Sequence, residues 1–145
     1  MLCTMNAILP FLSAALSIAV GVISLVMAGK CLFSKKLVSF HEKAAGMPWG
    51  KVDPALQAVI LALMRVSGFG FLAVGLLTTV SPIVNRCQQN VFTQYIAPSV
   101  AVLFCAGLFW TNYELHMKTK SPTPWKGALA AVVMLLASMA LSCAG

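Results

Sequence analysis

Hydrophobic residues are collected into four long blocks along this chain, and three short polar connections separate them. Runs of about 18 or more apolar residues are typical of membrane-spanning helices, because hydrocarbon forces each backbone polar group to bond within its own segment. The period-2 alternation that a membrane β-barrel requires is absent from the sequence. The pattern therefore predicts four spans, at about residues 9–33, 54–80, 92–113 and 127–144.

The three connections cover about residues 34–53, 81–90 and 114–126. Short connections place consecutive helices side by side in opposite directions. We therefore expect an all-α, up-down-up-down four-helix bundle that forms one membrane domain over residues 1–145. Asp53-Pro54 is typical of a helix start, with a capping carboxylate and proline at the first helical position. Ser81-Pro82 predicts a kink or a stop near the end of the second span.

The first connection has an apolar pattern of its own. Five apolar residues follow the spacing of one helical face, and Lys36 and Lys43 share another face: Phe33, Leu37, Phe40, Ala44 and Met47. This pattern predicts a short amphipathic cytoplasmic segment, which either lies along the membrane surface or extends the first span.

Composition supports an integral membrane protein. Hydrophobic residues make up 60% of the chain and charged residues 9%, compared with roughly 45–50% and about 25% in soluble domains. Ten basic and three acidic side chains are too few to cover the surface of a soluble domain of 145 residues. The abundance of apolar residues also excludes a disordered chain.

Basic residues are distributed unevenly between the two sides of the predicted bundle. Eight of the ten flank the first and third connections: Lys30, Lys35, Lys36, Lys43, Lys51, Lys118, Lys120 and Lys126. The opposite side has Arg86 alone, so the lysine-rich side is predicted to face the cytoplasm and both termini the outside. There the lysines would meet anionic lipid headgroups, which accounts for the net charge of +7 without a nucleic-acid partner.

Arg65 interrupts the second hydrophobic block. It lies about 16 Å along its helix from Pro54 at a rise of about 1.5 Å per residue, which is near mid-membrane if that helix begins at the interface. A charge at this depth costs at least about 2.5 kcal/mol, so we expect the guanidinium to face protein or water. Small neighbours at positions 58, 62 and 68 leave room for it, and Glu114 at the end of the third span is a candidate partner.

Two interpretations of Arg65 remain open. In the first, the side chain snorkels to the interface or pairs within the chain. In the second, Arg65 binds an anionic headgroup, a substrate or a partner. The candidate ligand or partner residues on this side of the bundle are Arg65, Gln57, Glu114, Trp49 and Trp125.

Small residues recur at helical spacing in three of the spans. They are Ser13, Ser17, Gly21, Ser24 and Ala28 in the first, Ala97, Ala101 and Cys105 in the third, and Gly127, Ala131, Ser138 and Ser142 in the fourth. Small residues let helix backbones approach closely in membranes. The pattern predicts contacts that hold the bundle together or that pair two copies of it.

The cysteine and histidine positions predict no metal site and no cofactor. There is no Cys-x-x-Cys sequence, and His41-Glu42 and Glu114-x-His116 match no metal-binding motif. Cys3, Cys87 and Cys143 fall near the predicted outer face. They are either disulfide candidates in an oxidising compartment or small apolar fillers.

Two stretches carry a resemblance to known proteins. Met47-Pro48-Trp49 with residues 53–57 and 62–70, and Thr123-Pro124-Trp125 before the last span, resemble a group of small uncharacterised bacterial four-span inner-membrane proteins. The resemblance implies a bacterial inner-membrane location. It implies no activity, because none is assigned to the group. The shared residues cluster at the inner face and around Arg65, where we therefore expect any site.

The sequence contains no nucleophile paired with a base and no glycine-rich phosphate loop, so we expect no catalytic residues. An enzyme of the compact four-span kind would need further polar clusters inside the spans. We predict a non-enzymatic multi-pass protein that acts through helix contacts, as an accessory subunit, an assembly factor or a homo-oligomer. The alternative is a small carrier or binding protein for an anionic or amphipathic ligand anchored by Arg65.

Overall fold

The computed structural model describes residues 2–37, 39–87 and 90–144, and the side chains at positions 2–7, 40, 86, 87 and 144 lie outside the described part. Over these ranges the chain is helical. The helices are α1 (Leu2–Phe33), α2 (Ser39–Ala45), α3 (Pro54–Cys87), α4 (Ala97–Thr119) and α5 (Trp125–Ala144). A 3₁₀ turn at Trp49–Lys51 precedes α3, and a π-helical turn at Phe92–Ile96 leads into α4.

The prediction of an all-helical chain with four long apolar helices is confirmed. Helices α1, α3, α4 and α5 each contain a stretch that is long and apolar enough to cross a membrane. In the described part of the chain these stretches are Ile8–Phe33, Pro54–Asn85, Phe92–Thr119 and Trp125–Cys143.

Two helices extend beyond their predicted ends. Helix α3 continues through Pro82 to Cys87 and does not stop near residue 80. Proline removes one backbone hydrogen bond, but helices tolerate it where neighbouring helices and side chains support the freed groups. Helix α4 continues to Thr119 because residues 114–118 favour helix and Glu114 pairs with Lys118 one turn later.

The predicted cap at the start of α3 is confirmed by its hydrogen bonds. The Asp53 Oδ1 atom accepts hydrogen bonds from the backbone nitrogens of Ala55 at 2.9 Å and Leu56 at 3.3 Å. These bonds satisfy two backbone donors that have no partner within the helix. At the end of α4, Lys120 adopts the left-handed conformation with φ 54° and closes the last turn.

The predicted amphipathic segment contains a short helix, but its apolar residues do not form one continuous helical face. Helix α1 ends at Phe33, and α2 holds only Ser39–Ala45 before Gly46 turns the chain at φ 63°. Helix α2 packs against α4, and the Ser121 Oγ atom donates a hydrogen bond to the Lys43 carbonyl at 3.3 Å. The first and third connections therefore meet at the same end of the bundle, and we call it the lysine-rich end.

Helix α1 packs against both α3 and α5, and α4 packs against α5 and less extensively against α3. Five buried side chains fill the centre of the bundle, and we call them the core cluster: Val20, Val74, Ala101, Cys105 and Leu135. The small-residue pattern of the first and third spans faces this interior: Ser13, Ser17, Gly21, Ser24, Ala28, Ala97, Ala101 and Cys105 are all buried. In the fourth span Ser138 is buried, Ala131 and Ser142 are half-buried, and Gly127 is exposed. The buried small residues therefore hold the bundle together within one copy of the chain.

The closest approach between helices is that of α1 and α3. A Cβ atom at Gly21 would lie 2.8 Å from the Thr78 hydroxyl and 3.0 Å from the Thr79 backbone nitrogen. A Cβ atom at Gly68 would lie 3.1 Å from the Cys31 Cβ atom at the other end of the pair. Early residues of α1 thus meet late residues of α3, so these two helices run in opposite directions.

We predict that Gly21→Val destabilises the protein and that Gly29→Val does not. A side chain at position 21 forces the α3 backbone away, and overpacking of this kind costs about 1–3 kcal/mol. A Cβ atom at Gly29, on the same helix, meets nothing within 4 Å. The melting temperature in detergent should fall by several degrees for Gly21→Val only. Equal melting temperatures for the two variants would contradict the close approach.

Candidate functional site

Polar side chains from α1, α3, α5 and the π-helical turn before α4 converge at the end of the bundle opposite the lysine-rich end. They surround a cavity of about 320 Å³, which we call the hydroxyl crevice. Its polar lining residues are Ser13, Ser17, Thr78, Ser81, Asn85, Thr93, Gln94, Ser138 and Ser142. Small-molecule sites in proteins have volumes of about 300–1,000 Å³, so the crevice has room for a small ligand.

Irregular helix geometry shapes the mouth of the crevice. Pro10, Pro82 and Pro98 line it from three different helices. The π-helical turn at Phe92–Ile96 directs Thr93 and Gln94 into the lining. A π-helical turn widens the helix locally and often occurs at functional sites, so these two side chains have positions that a regular α-helix would not give them.

Three serines form a hydrogen-bonded clamp between α1 and α5. The Ser13 Oγ atom donates to the Ser138 carbonyl at 2.8 Å, and the Ser138 Oγ atom donates to the Ser13 carbonyl at 2.9 Å. The Ser17 and Ser138 Oγ atoms are 2.8 Å apart. Because the Ser138 proton already bonds to Ser13, Ser17 donates in this last bond. The clamp therefore uses the hydroxyl protons of all three residues.

Other polar groups of the hydroxyl crevice have no partner in the described part of the chain. The side chains of Ser81, Gln94 and Ser142 make no hydrogen bond there, although Ser81 is only 7% exposed. Asn85 accepts from the Thr93 hydroxyl at 3.3 Å and keeps its amide hydrogens for another acceptor. These groups offer both donors and acceptors to the cavity.

The core cluster closes the inner end of the crevice. On each of the four helices a core residue follows a crevice residue one turn further in. The pairs are Ser17 with Val20, Thr78 with Val74, Pro98 with Ala101, and Ser138 with Leu135. One helical turn rises about 5.4 Å, so the hydroxyl groups end at an apolar floor near the middle of the bundle.

The structure brings two of the sequence-predicted site residues together. The Gln57 Nε2 atom donates to the carbonyls of Trp49 and Val52, each at 2.9 Å. The Trp49 backbone nitrogen donates to the Glu42 Oε1 atom at 3.2 Å. Gln57 and Trp49 therefore fasten the first connection to the start of α3, and their polar groups are engaged within the chain.

Trp125 lies in an aromatic group at the lysine-rich end. Its ring centroid is 5.7 Å from that of Tyr113, 6.1 Å from that of His116 and 6.4 Å from that of Phe109. The Lys126 Nζ atom lies 5.6 Å from the Trp125 ring centroid. These contacts pack the start of α5 against α4.

Glu114 and Arg65 are not partners. Glu114 pairs with Lys118 on its own helix. Arg65 is exposed on the outer surface of α3 and makes no hydrogen bond or ion pair with any described residue. Arg65 does not face the interior of this bundle, because Met64 and Gly68 occupy the buried face beside it. Its role in binding a ligand or a partner stays a prediction.

The described residues contain no group of three or more metal-binding side chains. Of the sequence pairs weighed for such a site, Glu42 is bound to the Trp49 nitrogen, and the His116 Nδ1 atom lies 2.7 Å from the Ser121 carbonyl oxygen. Burial lowers the pKa of His41 on α2. Disulfide pairing of Cys3, Cys87 and Cys143 stays a prediction, because the first two side chains lie outside the described part.

Sequence reasoning missed the hydroxyl crevice as a site. Ser13, Ser17 and Ser138 were assigned to helix packing, and they do pack, but the pattern does not show that their hydroxyl groups meet. The sequence feature that could have indicated the crevice is the presence of serines on two small-residue helix faces together with prolines at positions 10, 82 and 98. Only the register between helices brings these positions to one level.

Comparisons with protein-family models, with curated proteins and with solved structures found no match. The resemblance to small four-span proteins therefore stays a prediction. Assignment of a function rests on the geometry of the chain itself.

We predict that Ser138→Ala lowers the stability of the bundle and that Ser142→Ala leaves it unchanged. Removing the Ser138 hydroxyl deprives the buried Ser17 of its partner and the Ser13 carbonyl of its donor, which costs about 1–3 kcal/mol. Ser142 has no such bond to lose. Melting temperatures in detergent measure the difference, and a Ser142→Ala loss as large as that of Ser138→Ala would sink the distinction.

Proposed function

We propose that this protein is an up-down-up-down four-helix bundle in a bacterial inner membrane, with the lysine-rich end in the cytoplasm and both termini outside. Four sufficiently long apolar helices support the spans. The meeting of the first and third connections supports their common side. The concentration of lysines in and beside those connections supports the cytoplasmic orientation and contact with anionic headgroups.

We further propose that the protein binds a small uncharged polar ligand in the hydroxyl crevice without transforming it. The observation that carries this proposal is the set of unpaired groups on Ser81, Gln94 and Ser142 around one cavity. None of these three groups is sealed from the cavity, so water or a ligand can complete their hydrogen bonds there. Hydroxyl and amide groups are the partners of a ligand with similar groups, such as a polyol or an amide.

The charge of the lining supports a neutral ligand. The described lining residues carry no charged side chain, and burying an unpaired ion among hydroxyl groups is costly. The apolar floor also favours binding over free passage, because a continuous pore would require polar groups on both sides of the core cluster. This function belongs to the binding-protein class predicted as the alternative, with a different site from Arg65.

A role through helix contacts is the second candidate, as an accessory subunit, an assembly factor or a homo-oligomer. The exposed Arg65 side chain favours it, because the guanidinium has no partner among the residues that the structure describes. A neighbouring protein with an acidic group at that level would supply one.

Native mass spectrometry of the protein extracted gently from its own membrane tests the first candidate. We expect a retained small molecule on the wild type, and its loss in Ser81→Val, which replaces an unpaired hydroxyl of the crevice lining by methyl groups. Ser67→Val is the matched control, because Ser67 is an exposed residue of the same helix outside the crevice. Melting temperatures verify that both variants remain folded.

A wild-type protein without a small-molecule adduct, or an adduct that survives Ser81→Val, would contradict the crevice as the binding site. A stoichiometric foreign subunit in the same spectra would establish the second candidate.

A further inference from the structure

Arg65 lies at the lysine-rich end of the bundle and not at the middle of α1. Position 68 of α3 is level with Cys31 and Leu32, as the 3.1 Å and 2.9 Å distances from a Gly68 Cβ atom show. Arg65 is one helical turn nearer the start of α3, so it is level with the end of α1 at Phe33. Helical side chains also tilt toward the helix N-terminus, which carries the guanidinium further toward that end.

Every acidic side chain of the chain is engaged elsewhere. The sequence has three of them. Glu42 accepts from the Trp49 nitrogen, Asp53 caps α3, and Glu114 pairs with Lys118. The counter-ion of Arg65 must therefore come from outside the chain.

The surroundings of Arg65 are apolar and exposed. Phe69 and Leu76 lie four and eleven residues further along α3, on the same side of the helix, and are 63% and 50% exposed. In the proposed membrane orientation this strip runs from the headgroup level toward the middle of the bilayer. The strip is therefore an apolar surface that adjoins the positive charge of Arg65 on the side toward the middle of the bilayer.

We propose that Arg65 binds the phosphate of an anionic membrane lipid, with an acyl chain along Phe69 and Leu76. The inference rests on the proposed membrane placement and is independent of the crevice ligand. A guanidinium forms two parallel hydrogen bonds to a phosphate, which an ammonium does not match. The nearby excess of lysines favours a lipid with a net negative headgroup.

Titration of the delipidated full chain with dioleoyl phosphatidylglycerol, followed by native mass spectrometry, tests the site. We expect the first phosphatidylglycerol to bind more tightly than dioleoyl phosphatidylcholine. Arg65→Gln should weaken its apparent affinity by about tenfold, the scale of one charge-assisted interaction. Arg86→Gln is the matched control, since it removes one arginine charge from the opposite side of the predicted bundle and should change the affinity little.

Three outcomes would overturn the proposal. Equal losses in Arg65→Gln and Arg86→Gln would assign lipid binding to the overall positive charge of the chain. Displacement of the lipid by inorganic phosphate in the millimolar range would indicate a site for free anions. A foreign subunit that is retained by the wild type and lost in Arg65→Gln would identify a protein carboxylate as the counter-ion. Ligand binding in the hydroxyl crevice is measured separately, with Ser81→Val. A failure of the lipid proposal therefore does not contradict the crevice proposal, and the reverse also holds.

Discussion

The contact between α1 and α3 determines which residues of this chain can meet. At Gly21 and Gly75 the two backbones approach so closely that a Cβ atom at Gly75 would lie 3.1 Å from the Gly21 carbonyl oxygen. If one helix moved along the other by one turn, a bulkier residue would enter this close contact, so the two helices can pack in one register only. The resulting register brings Ser17 and Thr78 to one level of the crevice and sets Arg65 level with the end of α1.

Polar groups are divided between the two ends of the bundle according to charge. At one end, neutral hydroxyl and amide groups surround a cavity, and part of them bond to one another across α1 and α5. At the other end, lysines, a histidine and aromatic rings join the connections to α4 and α5. The core cluster separates the two sets. A cavity lined by neutral polar groups and a charged surface therefore lie at opposite ends of one small bundle and use different side chains.

Much of this architecture was predictable from sequence, because four apolar blocks and their short connections leave few alternatives. The cap at Asp53-Pro54 was also predictable, since it depends only on neighbouring residues. Helices α3 and α4 continue beyond the predicted spans, because packing and the Glu114–Lys118 pair extend them past local stop signals. The hydroxyl crevice was not predicted, and neither was the position of Arg65 level with the end of α1, since both depend on the register between helices, which no single segment encodes.

The apolar floor of the crevice has a consequence for any movement of a ligand. Val20, Val74, Ala101 and Leu135 form the floor and are each at most 3% exposed. Opening a route past them would expose the same surface whose burial holds the helices together. A route for a molecule through the bundle would thus weaken the packing between its helices. A molecule bound at the proposed site would therefore enter and leave through the same mouth of the crevice.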